Sequence, residues 1–433
     1  MKKILYLGAM LTFIGSLSIA GYQKTLAAGS QAPLVSVRLC SSAPVGIGAN
    51  AHLVQGLWHG VSVATSTWRK KFKKVGLKLL APRLLDDAKG DGSAVDAAKE
   101  ASNARTCLSD PAGMGFIGTL NSSMAQVAEP ILNRQGMAMI SPSNTNPILT
   151  NPNLRGTYEP ATASGKLKYP TYYRVVTTDA LQGPVGAIYM KKLGINSFFL
   201  VDDQQTYGAG LAQHMAAWAT GKLGMTEVGS GHLDTTSAAA TASSTSAVAR
   251  QVVQKNPQAI YCGGDNPYCA PMLKAARRAG FKGYFVGGDA INTVSFATFA
   301  GGVANAYQSY STTVGNPSGA PKSFTNLEHK FYPGWVTDPY DGLAFDASNV
   351  ILSAIYNSKV AGTLKGSNFQ KRSSILKWIE KGSYTGTGGK FHFDKNGDTS
   401  LRTLSVYQWQ GANWSVRKVF FNKDIPKGIK PTP

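Results

Sequence analysis

Short apolar runs alternate along most of the chain with longer segments in which apolar residues recur every three or four positions. The runs predict buried strands, and the spaced segments predict amphipathic helices. In the first part of the chain, strands are predicted at 34–39, 77–85, 137–140 and 172–177 and in a run ending at Phe116-Ile117, with helices at 51–73, 95–106 and 124–133. This repeated strand–helix order predicts a parallel, doubly wound sheet.

A second series of the same kind occupies about 180–310. Its helices are predicted at 186–193, 211–223, 248–254 and 271–279, and its strands at 197–201, 259–262 and 283–286. Residues 151–170 are predicted to be a polar loop, and residues 235–248, mostly Ser, Thr and Ala, a loop leading into a helix. Helices at 344–356 and 373–381 and an alternating hairpin at 404–421 complete an α/β fold.

Hydroxyl- and amide-rich turns follow two neighbouring strands of the first series. Ser122 and Ser123 come after one strand, and Asn144 and Thr145 come after the next. Parallel strands joined by a helix bring their C-terminal turns together, at the edge where open α/β sheets bind small ligands. One turn also opens a helix, whose free N–H groups attract anions. The turns predict a site for a carboxylate or another small anion, although Ser122 and Ser123 could instead only cap the helix.

With 433 residues the chain is long enough for two domains, and a hydrophobic content of 43% excludes a disordered protein. The net charge is +21, from 44 Lys and Arg against 23 Asp and Glu. Such an excess would suit nucleic acid, anionic lipid or a cell-wall polymer, and the shortage of acids would also suit an acidic medium. The densest basic cluster, at 68–74, is more simply a solvated helix face.

Residues 1–30 predict an exported protein. Lys2 and Lys3 precede an apolar run at 4–20, and small residues follow at 26–28, as in a secretory signal. A retained N-terminal membrane helix is the alternative. Tyr22 stands where a lipoprotein signal would carry its Cys. We therefore expect a periplasmic or cell-surface location, where nucleic acid is not an expected partner.

The four cysteines are disulfide candidates in such an oxidising compartment. Cys262 and Cys269 bracket a loop short enough for a bridge to close, and they are the favoured pair. Cys40 and Cys107 remain as the second pair. Because no CxxC motif or nearby pair of histidines occurs, we expect no zinc site, and the chain predicts no other metal or cofactor.

Three short motifs resemble functional signatures and are incomplete. The GxGxxA at 46–51 lacks the acid expected about 20 residues after a dinucleotide-binding loop, so it predicts a turn at a cleft edge. The SxxK at 374–377 lacks its partner motifs, and the acidic turn at 394–398 lacks the final Glu of a calcium loop. No catalytic residues are therefore predicted, and an exported hydrolase is kept only as an alternative.

Several longer motifs resemble one family, the solute-binding proteins of branched-chain amino acid ABC transporters, which are type 1 periplasmic binding proteins. The resemblance covers most of the chain after the signal segment and is strongest at 116–150, 203–210, 262–264, 275–280 and 287–289, with a fitting turn at 393–398. It implies two doubly wound α/β lobes joined by three crossovers, near Thr178, Ser311 and Thr403. The implied first lobe is 31–177 and 311–403, and the second is 178–310 and 404–433.

The resemblance also implies residues for the site. In that family the first lobe holds the ligand carboxylate with serine hydroxyl and backbone groups, at positions that match Ser122, Ser123, Asn144 and Thr145. The family often has a small residue where Asn144 stands. The second lobe supplies a tyrosine and an acid for the α-amino group.

Those second-lobe positions match Tyr207 and Asp289, and Asp179 matches an acid at the first crossover. Several family members carry an aromatic residue where this chain has Asp265. A second acid in the cleft would favour a more cationic or more hydroxylated ligand than an aliphatic amino acid.

The implied function is to bind a small polar solute, an amino acid or a related amide or carboxylate, between the lobes. Hinge closure would then deliver the solute to the membrane permease of an ABC transporter. The protein is expected to act as a monomer and not as an enzyme. A ligand-sensing module that serves a receptor would have the same fold and is the other alternative.

Overall fold

The computed structural model describes residues 34–151, 153–154, 170–315 and 321–425. The predicted signal segment at 1–30 and most of the predicted loop at 151–170 lie outside the described residues. Within the described part of the chain, no helix combines the length and the apolar character that crossing a membrane requires.

The first sheet has six strands, and all its pairings are parallel. The strands are β1 Val35–Ala43, β2 Leu77–Leu79, β3 Arg83–Asp86, β4 Gly113–Ile117, β5 Ala138–Ser141 and β6 Tyr172–Arg174. Helices α1 Ala51–Lys74, α2 Ala97–Ser109 and α3 Ser122–Asn133 lie between them. The order is β2-β1-β4-β5-β6, and β3 pairs with the second half of β1. The predicted strand at 77–85 is two strands, because Pro82 between them has no N–H for the ladder.

The second sheet has seven strands in the order β15-β14-β11-β10-β9-β7-β8. Its parallel strands are β7 Ser197–Asp202, β8 Thr226–His232, β9 Ala259–Gly263, β10 Tyr284–Gly287 and β11 Ser309–Val314. Its helices are α4 Asp179–Lys192, α5 Thr206–Leu223, α6 Ala238–Lys255, α7 Asn266–Arg278 and α8 Phe296–Phe299. The predicted hairpin forms as β14 Leu404–Gln410 and β15 Asn413–Phe420, which extend the sheet with antiparallel pairing.

The strands β8 and β11 and the start of helix α6 differ from the prediction. The strands β8 and β11 were not predicted, because neither contains a continuous apolar run. β8 is a largely exposed edge strand, and β11 is buried but rich in Ser and Thr. Helix α6 begins at Ala238, inside the segment predicted to be a loop, and the Ser237 hydroxyl caps it by accepting from the Ala240 N–H. Because Ser and Thr favour turns and helix caps, the segment was predicted to be a loop, although it forms a helix with a largely exposed face.

The chain passes between the two sheets three times. After Arg174 it enters α4, which packs on β11 and β14 of the second sheet. After Val314 it returns to the first sheet as α9 Lys322–Phe331, α10 Pro339–Val360, α11 Asn368–Glu380 and the hairpin β12 Tyr384–Gly386 and β13 Gly389–Phe391. It crosses again to reach β14. The predicted boundary at 311 lies inside β11, so the second crossing comes a few residues later than expected.

We refer to the first sheet with α1–α3 and α9–α11 as the first lobe, and to the second sheet with α4–α8 as the second lobe. This arrangement confirms the predicted fold class, two doubly wound α/β lobes joined by three crossovers. Each lobe contains one disulfide. Cys40 of β1 pairs with Cys107 of α2, and Cys262 of β9 pairs with Cys269 of α7, which confirms both predicted pairs.

Candidate functional site

A small cavity lies between the C-terminal strand ends of the two lobes. Residues from both lobes line it: Asn50, Leu53, Leu120, Asn121, Ser122, Ser143 and Tyr340 from the first, and Tyr207, Asp265, Asp289 and Ala290 from the second. Four of the predicted site residues are therefore brought together here. The other four, Ser123, Asn144, Thr145 and Asp179, are not among the lining residues.

The first wall of the cavity is the start of α3. Asn121 is the N-cap residue but makes no side-chain capping bond, so its side chain leaves the first-turn N–H groups uncovered. Its amide Nδ2 instead donates to the Asp265 carboxylate of the other lobe. The Ser122 hydroxyl oxygen lies 3.4 Å from the Asn146 N–H, which donates to it. The Ser123 hydroxyl is buried without a hydrogen-bond partner among the described residues.

The turn after β5 is fixed by its own side chains. Ser141 Oγ accepts from the N–H groups of Ser143 at 3.1 Å and Asn144 at 2.8 Å. The Asn144 amide donates to the carbonyl oxygens of Thr119 at 2.8 Å and Leu120 at 3.0 Å. Asn144 thus ties together the two turns that the sequence predicted to converge, and its amide nitrogen is occupied by backbone.

Arg174, a residue that the sequence analysis did not single out, supports this turn from behind. Its side chain is fully buried, and its Nε donates to Asp398 Oδ1 at 2.6 Å. Its Nη1 donates to the carbonyl oxygens of Asn144 at 3.1 Å and Asn146 at 2.8 Å, and its Nη2 to the Thr150 hydroxyl. The sequence signal that could have identified Arg174 is its position as a lone charged residue at the end of an apolar strand. The acidic turn at 394–398 therefore anchors the first wall.

Asp289 is the centre of the second wall. Its Oδ1 accepts from Gln182 Nε2 at 2.7 Å and from the Tyr207 hydroxyl at 2.8 Å. Its Oδ2 accepts from the hydroxyl of Tyr340, which comes from α10 of the first lobe. Burial raises the pKa of Asp289, and these three hydrogen bonds oppose the rise. Sequence reasoning missed Gln182 and Tyr340, because each lies in a helix whose local pattern is explained by packing.

Asp265 lies beside Asp289 in the same wall and is buried. Burial raises its pKa to about 6, while the hydrogen bond from Asn121 opposes the rise. Behind it, the Asp203 carboxylate accepts from the N–H groups of Gln205 at 3.0 Å and Asp265 at 3.1 Å. Burial raises the pKa of Asp203 to about 8. Asp203 therefore shapes the wall, and Asp265 faces the cavity.

Asp179 and Thr145 meet at the first crossover. The Asp179 N–H, at the start of α4, donates to the Thr145 carbonyl oxygen at 2.9 Å and so joins the second lobe to the turn after β5. The carboxyl of Asp179 is fully buried, and burial and the neighbouring Asp289 raise its pKa well above the usual range. The structure places this pair at the junction of the lobes.

The two lobes are closed on each other by hydrogen bonds around the cavity. Besides the contacts of Asp265 and Asp289, the Thr206 hydroxyl donates to Gln126 Oε1 at 2.8 Å. Asn266 Nδ2 and Ser295 Oγ both donate to the Ala49 carbonyl oxygen, at 3.1 and 3.0 Å. Ala49 belongs to the GxGxxA segment, which therefore lies at the cleft edge as expected.

Metal binding gains no support from the described residues, in which no group of three or more His, Cys, Asp or Glu is placed to hold an ion. The arrangement offers hydroxyl and backbone donors on one wall and carboxylate acceptors on the other. These two walls are chemically complementary to a molecule that is anionic at one end and cationic at the other.

Comparison with known proteins gives consistent matches. A family model described as periplasmic binding protein matches residues 91–413. An amino acid binding protein from Pseudomonas aeruginosa is 24% identical over 368 residues, which cover 84% of this chain and 87% of the relative. A leucine-specific-binding protein from Salmonella typhimurium is 26% identical over 295 residues, covering 66% and 73%.

Solved structures share the fold. A leucine binding protein, LivK, from Thermotoga maritima has a TM-score of 0.72 at 22% identity and covers 90% of this chain and 99% of its own. A solute binding protein from R. palustris in complex with benzoate has a TM-score of 0.68 at 15% identity and covers 89% and 96%. At these identities the likeness establishes the fold of this chain.

Proposed function

The chain belongs to the periplasmic binding protein family, and we propose that it is an exported solute-binding protein that takes up an amino acid or a related small polar solute between its lobes. Family membership confirms the resemblance that the sequence motifs indicated. The named relatives are amino acid and leucine binding proteins, which supports a solute-binding role.

One observation carries the proposal: the uncapped start of α3 faces two buried carboxylates, Asp265 and Asp289, across a single cavity. The α3 N–H groups and the Ser122 hydroxyl would bind the solute carboxylate, because a helix N-terminus stabilises an anion. Asp289 would bind the α-ammonium. Neither group alone requires an amino acid, but the two together fit a zwitterion.

The same geometry supports a closing mechanism. Each wall belongs to a different lobe, so a solute that bonds to both favours the closed form over an open one. In its role as an importer subunit, the closed protein would present the solute to a membrane permease, act as a monomer and work without catalysis. Periplasmic or cell-surface export follows from the predicted signal at 1–30.

A ligand panel tests the proposal. The purified protein is heated with aliphatic, basic, acidic and polar amino acids, amides and aromatic carboxylates, and hits are measured by calorimetry. A solute at 100 times its Kd should add about 2.7 kcal/mol to the free energy of unfolding. If amides or plain carboxylates stabilise the protein and no amino acid does, the zwitterion assignment is wrong.

A variant locates the ammonium. Asp289→Asn should weaken an amino acid hit by at least about 30-fold, since a buried charge partner contributes roughly 2 kcal/mol or more. Glu227→Gln is the matched control, because Glu227 is an exposed acid at the start of the edge strand β8. An unchanged Kd in Asp289→Asn would place the ammonium elsewhere.

A further inference from the structure

The cavity walls hold more hydrogen-bond acceptors than one α-ammonium can use. The carboxylates of Asp265 and Asp289 both line the cavity. Asn121 lines it too, is 5% exposed, and its Oδ1 has no hydrogen-bond partner among the described residues. The orientation of this amide is set, because its Nδ2 donates to the Asp265 carboxylate. The free atom of Asn121 is therefore an acceptor next to a carboxylate.

The two acids of the second wall, Asp289 and Asp265, accept different numbers of hydrogen bonds. Asp289 receives hydrogen bonds from Gln182, Tyr207 and Tyr340. The Asp265 carboxylate receives the Asn121 amide from the opposite lobe, so this bond depends on closure. A buried carboxylate needs compensation by charge or hydrogen bonds, because burial removes its hydration.

The cavity lining supplies no positive charge for this purpose. No Lys, Arg or His is among the described residues that line it. The buried Arg174 pairs with Asp398 behind the first wall. The α-ammonium of an amino acid brings one positive charge and three donors, and Asp289 is the acid assigned to it. The negative charge of Asp265 and the unpartnered amide oxygen of Asn121 are then available to another group of the solute.

We propose, on the premise of the proposed function, that the solute is an amino acid whose side chain carries a second cationic donor, an amine or a guanidinium. Asp265 and the amide oxygen of Asn121 receive that group. An aliphatic side chain at this place would leave the buried Asp265 carboxylate without a compensating positive charge and the Asn121 amide oxygen without a donor, which disfavours it. A pKa of about 6 for Asp265 agrees with this assignment, since the carboxyl is then mostly ionised at pH 7.

Calorimetry at pH 7 with matched pairs of amino acids tests the inference. L-Ornithine is compared with L-norleucine and L-arginine with L-citrulline, because the two members of each pair have the same number of side-chain heavy atoms and only the first carries a second positive charge. The best cationic compound should bind at least about 100-fold more tightly than its neutral counterpart, a difference of about 2.7 kcal/mol. Tighter binding of the neutral compounds overturns the inference and leaves the proposed function standing. Failure of every amino acid, with binding of another solute class, overturns both.

Asp265→Asn assigns the side-chain contact. The substitution keeps shape and keeps a good N-cap residue at the start of α7, so the fold should be preserved, and circular dichroism checks this. It should weaken the cationic ligand by at least about 30-fold and change the neutral ligand by less than about threefold. Glu227→Gln is the control and should leave both unchanged. Equal weakening of cationic and neutral ligands would mean that Asp265 only shapes the cavity, and the inference would be wrong.

Discussion

The two walls of the cavity are built in different ways. In the first wall, the turns around Thr119 and Asn144 bond to each other, and Arg174 holds them from behind within the same lobe. In the second wall, Asp289 and Asp265 take hydrogen bonds from Tyr340 and Asn121 of the opposite lobe. The first wall is therefore complete in its own lobe, whereas the second is completed only by closure.

Because of this difference, we expect changes in the first wall to affect mainly folding stability and changes in the second wall to affect mainly ligand affinity. The first wall offers hydroxyl and backbone donors whose positions depend on a buried ion pair, so damage to it should lower the stability of the protein. The second wall holds buried carboxylates whose raised pKa values record the cost of burial. A bound cation lowers that cost, so changes there should appear first in affinity.

The largest effect is expected from Arg174→Met. Removing one partner of a buried ion pair leaves Asp398 uncompensated, and we expect a loss of about 3–5 kcal/mol in the free energy of unfolding by urea. Arg134→Met, at an exposed position just after α3, should stay within about 0.5 kcal/mol of the unmodified protein. If both variants unfold at the same urea concentration, the first wall does not depend on Arg174.

The disulfides should show a graded difference between the lobes. Cys40 and Cys107 are separated by 67 residues and Cys262 and Cys269 by 7, so loop entropy predicts that replacing each pair by Ala costs about 4 and about 2.5 kcal/mol. Only the second replacement should also weaken the ligand, because Asp265 lies in the loop that this bridge closes. Equal affinities in both double variants would show that the bridge does not position Asp265.

The pH dependence of folding stability should arise largely from the buried carboxyl groups whose pKa values are raised. A carboxyl whose pKa is raised in the folded state binds protons more tightly there, so stability is highest below its unfolded pKa and falls as pH rises towards the folded value. With Asp265 at about 6 and Asp203 at about 8, the ligand-free protein should lose stability between about pH 4 and 8. Each group contributes at most about 1.4 kcal/mol per pH unit.

Glu100 and Asp346, buried elsewhere in the first lobe, have pKa values raised to about 8 and about 7 and act in the same direction. Asp265→Asn should therefore flatten only the part of the profile below about pH 6. Urea unfolding from pH 4.5 to 8 measures this, and a profile that rises with pH would contradict the assignment. The Asp265 carboxyl also faces Asp289, whose charge adds to the rise in its pKa.

The smallest effects should distinguish two donors to one carboxylate. Tyr207→Phe and Tyr340→Phe each remove a hydroxyl from Asp289, at a cost of about 1 kcal/mol. Tyr207 donates within the second lobe, so its change should lower unfolding stability and affinity alike. Tyr340 donates across the cleft, so its change should weaken the ligand several-fold and shift the ligand-free protein towards an open form in X-ray scattering. Identical behaviour of the two variants would remove the distinction between the walls.

Much of the first wall could be predicted from local sequence. Short hydroxyl-rich turns after apolar runs identified Ser122 and the turn at 141–145, because strand order alone places such turns at one edge. The hydrogen bonds of the Asn144 amide to Thr119 and Leu120 could not be predicted, since no local pattern indicates them. The strand β11 and the helix α6 were missed because Ser and Thr serve both buried strands and exposed helices.

The sequence by itself determined the alternation of strands and helices, the favoured pairing of Cys262 with Cys269 and the chemistry of the turns, since these depend on periodicity, turn residues and spacing. The division into two lobes came from the family resemblance of its motifs. Only the tertiary structure decided which side chains share the cavity. Asn121 meets Asp265 across 144 residues of sequence, and Tyr340 meets Asp289 across 51. Such contacts form only when the two lobes close on each other. No local sequence pattern indicates which residues of the two lobes will then meet.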